Sequence, residues 1–266
     1  FDLTILRVDQ FGMVDPAELE AAIRLDTLLV TIMHANNEVG TIQTIKELAR
    51  ITHKKGAVFH SDAAQSVGKI PVRVDEFHVG LLSIAGHKLY AIKGVGVLYV
   101  RTGIKLSKLM FGASHESNRR PGTENVLEIV GLGKAAEIAN RDFEANNRHY
   151  YQMRERLHQG LMKELGGENL RLNGDPEQRL PNTLSISFRN IEANKLLNKI
   201  GDDVAASAGA ACHADQVDVS VVLQAMQVPL EWAMGTVRFS VGRETNETQI
   251  DQVLSIVRNA VKDLLR

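Results

Sequence analysis

The sequence predicts an α/β protein, with a mainly parallel, doubly covered sheet in a large domain over residues 1–140 and a smaller α+β domain over 141–266. Three observations lead there. Short apolar runs alternate with amphipathic stretches of helical period through the first half. A long polar helical stretch, "DFEANNRHYYQMRERLHQGLMKELGG", then carries the chain out of that pattern, and short strand-like runs with helices between them follow it.

Each element has a local cause. In "DPAELEAAI" Asp15 is an N-cap and Pro16 takes the first helical position, where its missing N–H costs nothing. "LLVTIM" reads as a buried strand. "TIKELARITHKKG" puts Leu48 and Ile51 on one helix face, ends in basic residues and stops at Gly56. "AVFHSDAA", "LLSIAGHK" and "GVGVLYV" read as further strands, and "NVLEIVGLGKAAEIA" as a helix. Beyond the long helix, "NTLSISF" and "VRFSVG" read as strands, "NKLLNKIG" as a helix and "VAASAGAAC" as a small-residue stretch. A final helix runs from Thr245, with Glu247, Ile250 and Val253 in amphipathic spacing.

The 266 residues are 44% hydrophobic and 24% charged, the composition of a folded globular chain rather than a disordered one. Lys and Arg number 31 against 32 Asp and Glu, so the chain offers no general attraction to nucleic acid or to an anionic membrane. No stretch reaches the about 18 to 20 uncharged apolar residues of a spanning helix. The start, "FDLTILRVDQ", is neither a signal nor a transit peptide and lacks an initiator methionine, so upstream residues are expected to be missing. The single cysteine, Cys212, excludes an intrachain disulfide or a multi-cysteine zinc site and points to a reducing, cytoplasmic-type compartment, mitochondrial included.

Polar groups gather where the predicted strands of the first domain end. "HANNEVG", "HSDAAQSVG" and "AGHK" place Asn37, Asp62, Gln65, His87 and Lys88 at carboxyl ends of strands, where open α/β sheets bind ligands and where one crevice would collect them. Any one of them can equally be a turn or capping residue. Lys88 can snorkel with its ammonium in water. In a partly desolvated cleft it is instead an amine nucleophile for carbonyls, and an aspartate at strand-end depth can keep a pyridinium nitrogen protonated. Lysine plus aspartate therefore reads as an aldehyde-cofactor site. A metal site on His60 and Asp62, which share a strand face, competes but lacks a third ligand.

"HANNEVGTIQ", "HSDAAQSVGKIPV", "SIAGHK", "RRPGTEN", "LPNTLSISF", "GAACHAD" and "RFSVGR" together resemble, in order and spacing, the NifS-like pyridoxal-phosphate enzymes, the cysteine desulfurases and selenocysteine lyases. The resemblance implies the fold type I architecture of pyridoxal-phosphate-dependent aminotransferases and a homodimer. It also implies roles for individual residues. Lys88 would bind the cofactor aldehyde, Asp62 the pyridinium nitrogen, Gln65 the phenolic oxygen and His87 the phosphate. Asn37 would lie where cofactor and substrate carboxylate meet. Thr123, in "RPGTEN", would reach the phosphate of the neighbouring subunit's cofactor, and Arg238 would grip the substrate carboxylate.

Cys212, in "ASAGAACHAD", which reads as a small-residue loop of the second domain, would take the substrate sulfur as a persulfide and pass it to an acceptor protein. His213 beside it either favours the thiolate or serves as a cap or solvent-facing group. The implied activity is removal of sulfur from L-cysteine to give L-alanine. The alternatives are release of selenium from L-selenocysteine, or a catalytically silent scaffold. Three features depart from the family pattern: an upstream Gly-Ala-Thr-Glu type phosphate loop and a ring-stacking histidine are not in the chain, Ala85 stands where a serine is common, and "AIK" stands where Gly-Pro-Lys is common.

Overall fold

In the computed structural model, which describes residues 1–209 and 219–266, the chain divides into two compact units. One comprises residues 23–34 and 44–143. The other comprises 1–22, 35–43 and 144–266.

The unit of 23–34 and 44–143 is built on a four-stranded sheet of β1 (Leu29–Thr31), β2 (Val58–Asp62), β3 (Leu81–Ala85) and β4 (Gly96–Val100), adjacent in that order. The β1–β2 and β2–β3 pairs are parallel, with Thr31 opposite His60 and Asp62 opposite Ser83; β3–β4 is antiparallel. Parallel neighbours need a crossover, and the helix Ile45–Lys54 supplies the first. Its Ile45, Leu48, Ala49 and Ile51 are buried, and Gly56, at φ +81°, turns the chain into β2. Phe59 and Val79 are fully buried and Leu82 nearly so. The ladder continues past the strands at their carboxyl ends: the His34 amide donates to the Asp62 carbonyl at 2.8 Å, and the Ala63 amide to the Ser83 carbonyl at 2.9 Å. In this register each strand runs two residues further than the one before it, Asp62 lying two past the partner of Thr31 and Ala85 two past the partner of Asp62.

The other unit holds an antiparallel sheet of β5 (Leu170–Leu172), β6 (Thr183–Phe188), the strand Thr236–Ser240 and β7 (Ser207–Ala208), adjacent in that order. β6 is buried along its whole length, so its polar residues need internal partners. Ser187 Oγ accepts from Asn173 Nδ2 at 2.8 Å and shares a 2.7 Å hydrogen bond with Thr236 Oγ1. Leu157 and Leu161 of the helix Phe143–Leu165, Leu196 and Ile200 of Ala193–Ile200, and Val257 of Glu247–Leu264 pack with Leu184, Ile186, Phe188 and Val237 into one core. As expected, Asp15 caps the helix Pro16–Ala22, its Oδ1 accepting from the Ala17 amide at 2.8 Å.

Two expectations change in detail. The last helix starts at Glu247 rather than Thr245, because Asn246 and Gln249 form a capping box. The division of the chain near residue 141 meets a more interleaved arrangement, since 1–22 and 35–43 join the C-terminal residues. Backbone hydrogen bonds explain it: the Leu180 amide donates to the Gly40 carbonyl at 2.8 Å, and the Ile42 amide to the Gln178 carbonyl at 2.9 Å.

Candidate active site

The carboxyl edge of the parallel strands carries Asp62, Gln65, His87 and Lys88. Asp62 is the last residue of β2 and is exposed, its Oδ1 accepting from the Ala64 amide at 2.8 Å in a turn it caps itself. Gln65 follows in that turn, partly buried. Lys88 and His87, both exposed, lie in a single 3-10 turn, Gly86–Leu89, directly after β3. That turn demands glycine at its first position: a Cβ on Gly86 would stand 2.7 Å from the Val95 carbonyl oxygen, whose hydrogen bond from the Gly86 amide, 3.0 Å, anchors the turn.

The turn after β2 packs against the lysine turn. A Cβ on Gly68 would stand 2.6 Å from Leu89 Cδ2, so a side chain there would push the two apart. Next to Gly68, Lys69 donates from Nζ to the Gln65 carbonyl at 3.1 Å. Burial, and then the ammonium of Lys88, lower the Lys69 pKa to about 8. Sequence reasoning quoted Lys69 within "HSDAAQSVGKIPV" without giving it a role, because only the packed turns bring it to the site.

His60 does not behave as a free ligand. Its Nδ1 shares a 2.7 Å hydrogen bond with Thr31 Oγ1 and its Nε2 a 2.9 Å bond with Ser83 Oγ, so hydroxyls on both neighbouring strands hold the ring. Burial lowers its pKa, partly offset by the Asp62 carboxylate. Among the described residues no group of three His, Cys, Asp or Glu can hold a metal ion. Thr123 is exposed in a loop ahead of the helix Val126–Arg141, next to Gly122 at φ +99° and beside carbonyls of Pro121 and Gly122 that accept from Arg120 Nη1 at 3.0 and 3.1 Å.

Asn37 and Arg238 belong to the other unit and meet there. Arg238 Nη1 donates to the Asn37 carbonyl at 2.9 Å and Nη2 to Ser207 Oγ at 3.1 Å. The turn that presents this carbonyl is fixed by Asn36, whose Oδ1 accepts from the amides of Glu38 and Val39 at 2.8 and 2.9 Å. The Glu38 carboxylate in turn accepts from Ser220 Oγ. Ser207 had no role in the sequence reading; its place opposite Arg238 follows from strand register. Cys212 and His213 lie outside the described residues.

A parallel sheet with an amine and a carboxylate beside the ends of adjacent strands presents a donor set of the kind an aldehyde cofactor needs. The Aminotransferase class-V family model matches residues 1–253, and the chain belongs to that family. It is 44% identical over 265 residues to "Cysteine desulfurase IscS" of Methanosarcina thermophila, covering 99% of this chain and 65% of that protein. It is 42% identical to "Cysteine desulfurase IscS" of Dictyoglomus turgidum, covering 99% of this chain and 67% of that one. Among solved structures it superposes on a "NIFS-LIKE PROTEIN" with a TM-score of 0.90 at 36% identity, over 99% of this chain and 69% of the other. A NifS-like protein from Rickettsia africae gives 0.88 at 29% identity, over 97% and 69%. The chain thus spans about two thirds of the length of these relatives.

Proposed function

We propose that the chain works as a pyridoxal-phosphate-dependent cysteine desulfurase, taking sulfur from L-cysteine, releasing L-alanine and holding the sulfur as a persulfide on Cys212 for an acceptor protein. The exposed Asp62 carboxylate and Lys88 amine on one edge of the β2–β3 pair carry this reading. The donor set fits the cofactor. An amine suits its aldehyde, a carboxylate its ring nitrogen, and the amide of Gln65 its phenolic oxygen, while His87 and Thr123 can donate to its phosphate. Bound there, the cofactor supplies an electron sink that makes the substrate α-carbon acidic.

The chain's own groups do the rest. The Lys88 Nζ, as a free amine, would accept the α-proton. The Asp62 carboxylate would hold the proton of the ring nitrogen. The Arg238 guanidinium and Asn37 hold the substrate carboxylate. Cys212 Sγ, as thiolate, would bond to the substrate sulfur as the Cβ–S bond breaks with its electron pair left on the carbon side, and protonation at Cβ with return of the α-proton from Lys88 would complete alanine. Cysteine plus an enzyme thiol thus become alanine plus an enzyme persulfide.

A homodimer belongs to the same proposal. Around Thr123 the loop and helix expose Leu109, Met110, Phe111, Val126, Leu127 and Val130, with Phe111 at 88% and Leu127 at 78%, an apolar surface suited to a second copy of the chain. No helix among the described residues is long and apolar enough to cross a membrane.

The test is visible absorption after incubation with pyridoxal phosphate, for the chain and for Lys88→Ala, followed by L-cysteine or L-selenocysteine. A Lys88-dependent band, alanine release and a persulfide mass on Cys212 are expected with L-cysteine. A band identical in the variant overturns the cofactor site, and turnover confined to selenocysteine overturns the substrate.

A further inference from the structure

Arg238 carries five N–H donors, and their fates differ. Nη1 gives one to the Asn37 carbonyl at 2.9 Å, and Nη2 gives one to Ser207 Oγ at 3.1 Å. Nε is buried and has no partner among the described residues. A donor buried this way is out of reach of a ligand arriving from solvent. Among the described residues one N–H on each terminal nitrogen has no partner, and two guanidinium N–H donors suit the two oxygens of a carboxylate.

Both groups that leave this pair free are fixed by the fold. Ser207 stands directly opposite Arg238 in the antiparallel pairing of β7 with the strand Thr236–Ser240, so the two side chains share a face of the sheet. The Asn37 carbonyl sits in a turn closed by Asn36 Oδ1 and by the hydrogen bond from the Gly40 amide to the Asn36 carbonyl, 3.1 Å. A long arginine side chain would otherwise sample many rotamers, and its ordering would be a cost of binding.

We propose that Ser207 is a positioning residue for substrate recognition: with the Asn37 carbonyl it locks the Arg238 guanidinium before substrate arrives, so that the remaining N–H groups of Nη1 and Nη2 grip the carboxylate. This rests on Arg238 being the carboxylate anchor. The hydroxyl acts through the arginine and touches no reacting atom.

The experiment measures equilibrium binding of L-alanine, and of L-alaninamide, which lacks the carboxylate, by calorimetry to the pyridoxal-phosphate-loaded chain. The proteins are wild type, Ser207→Ala, Ser207→Thr and Arg238→Ala, each with its thermal midpoint recorded. Loss of one hydrogen bond to a charged group should weaken L-alanine binding about tenfold in Ser207→Ala. Binding of L-alaninamide should stay as in wild type, and Ser207→Thr, which keeps the hydroxyl, should restore L-alanine binding. Wild-type affinity for L-alanine in Ser207→Ala, or an equal loss for both ligands, overturns the positioning role while Arg238→Ala still shows the anchor. Undiminished L-alanine binding in Arg238→Ala, or no preference of wild type for L-alanine over L-alaninamide, overturns the anchor itself and the inference with it.

Discussion

Replacing His34 by phenylalanine should remove a large part of the acid sensitivity of the unit built on β1–β4. His34 follows β1, is only 4% exposed, and meets the Phe77 ring edge-on at a centroid distance of 5.0 Å. Its Nδ1 has no hydrogen-bond partner among the described residues. Burial holds its pKa at about 4, against 6.5 for the free side chain. Between those values the unfolded chain binds a proton that the folded chain refuses. Stability is therefore complete above pH 6.5 and falls as the pH drops from 6.5 to 4. A difference of about 2.5 units at about 1.4 kcal/mol each sets the full loss at about 3.5 kcal/mol, of which about 3 kcal/mol is gone by pH 4. Phenylalanine keeps the aromatic contact and has no proton to gain. Hydrogen exchange of the Ile32 and His34 amides, which close the β1–β2 edge, reads the opening free energy at each pH after correction for intrinsic exchange. The wild type should lose about 3 kcal/mol more than His34→Phe between pH 7 and pH 4. Parallel pH profiles for the two proteins would refute the reasoning, and His34→Leu separates loss of the ionisable ring from any strain of the larger one.

Two further substitutions probe the scaffold. Gly86→Ala places a Cβ 2.7 Å from the Val95 carbonyl oxygen and 3.0 Å from Val95 Cγ1, so the turn bearing His87 and Lys88 must shift. Affinity for pyridoxal phosphate, read by absorption titration, should fall at least about tenfold, and unchanged affinity would show that the turn has slack. Leu196→Ala opens a cavity at a fully buried position of the antiparallel unit, and urea denaturation should show a loss of about 3 kcal/mol. A loss below about 1 kcal/mol would mean that the helix Ala193–Ile200 collapses onto the gap.

Much of the fold is legible in the sequence because its elements have local causes. Asp15 and Pro16 start a helix, Gly56 ends one, and "AVFHSD" and "LLSIA" are apolar runs of strand length closed by polar residues. The assignment of residues 35–43 is not local at all. It depends on hydrogen bonds between Gly40 and Leu180 and between Ile42 and Gln178, partners more than a hundred residues apart, and no propensity or period encodes such a pairing. Asn246, in its Asn-x-x-Gln context, is the cap, and Thr245, whose Oγ1 accepts from the Gly242 amide at 2.9 Å, belongs to the turn before it.

The site divides along the same line. Asp62, His87 and Lys88 stand out because charge interrupts an apolar run just where a parallel strand ends, which is a local signal with a chemical consequence. Ser207 gives no such signal, since a serine among alanines and glycines has no pattern to break. Its role exists only through register: in an antiparallel pair a slip of one residue reverses every side chain, and with Ala206 or Ala208 opposite Arg238 no hydroxyl would meet the guanidinium. Groups proposed to react can therefore be read from residue type and position in the chain. Groups that aim them are small hydroxyls and backbone carbonyls, and these acquire meaning only when the strands are paired.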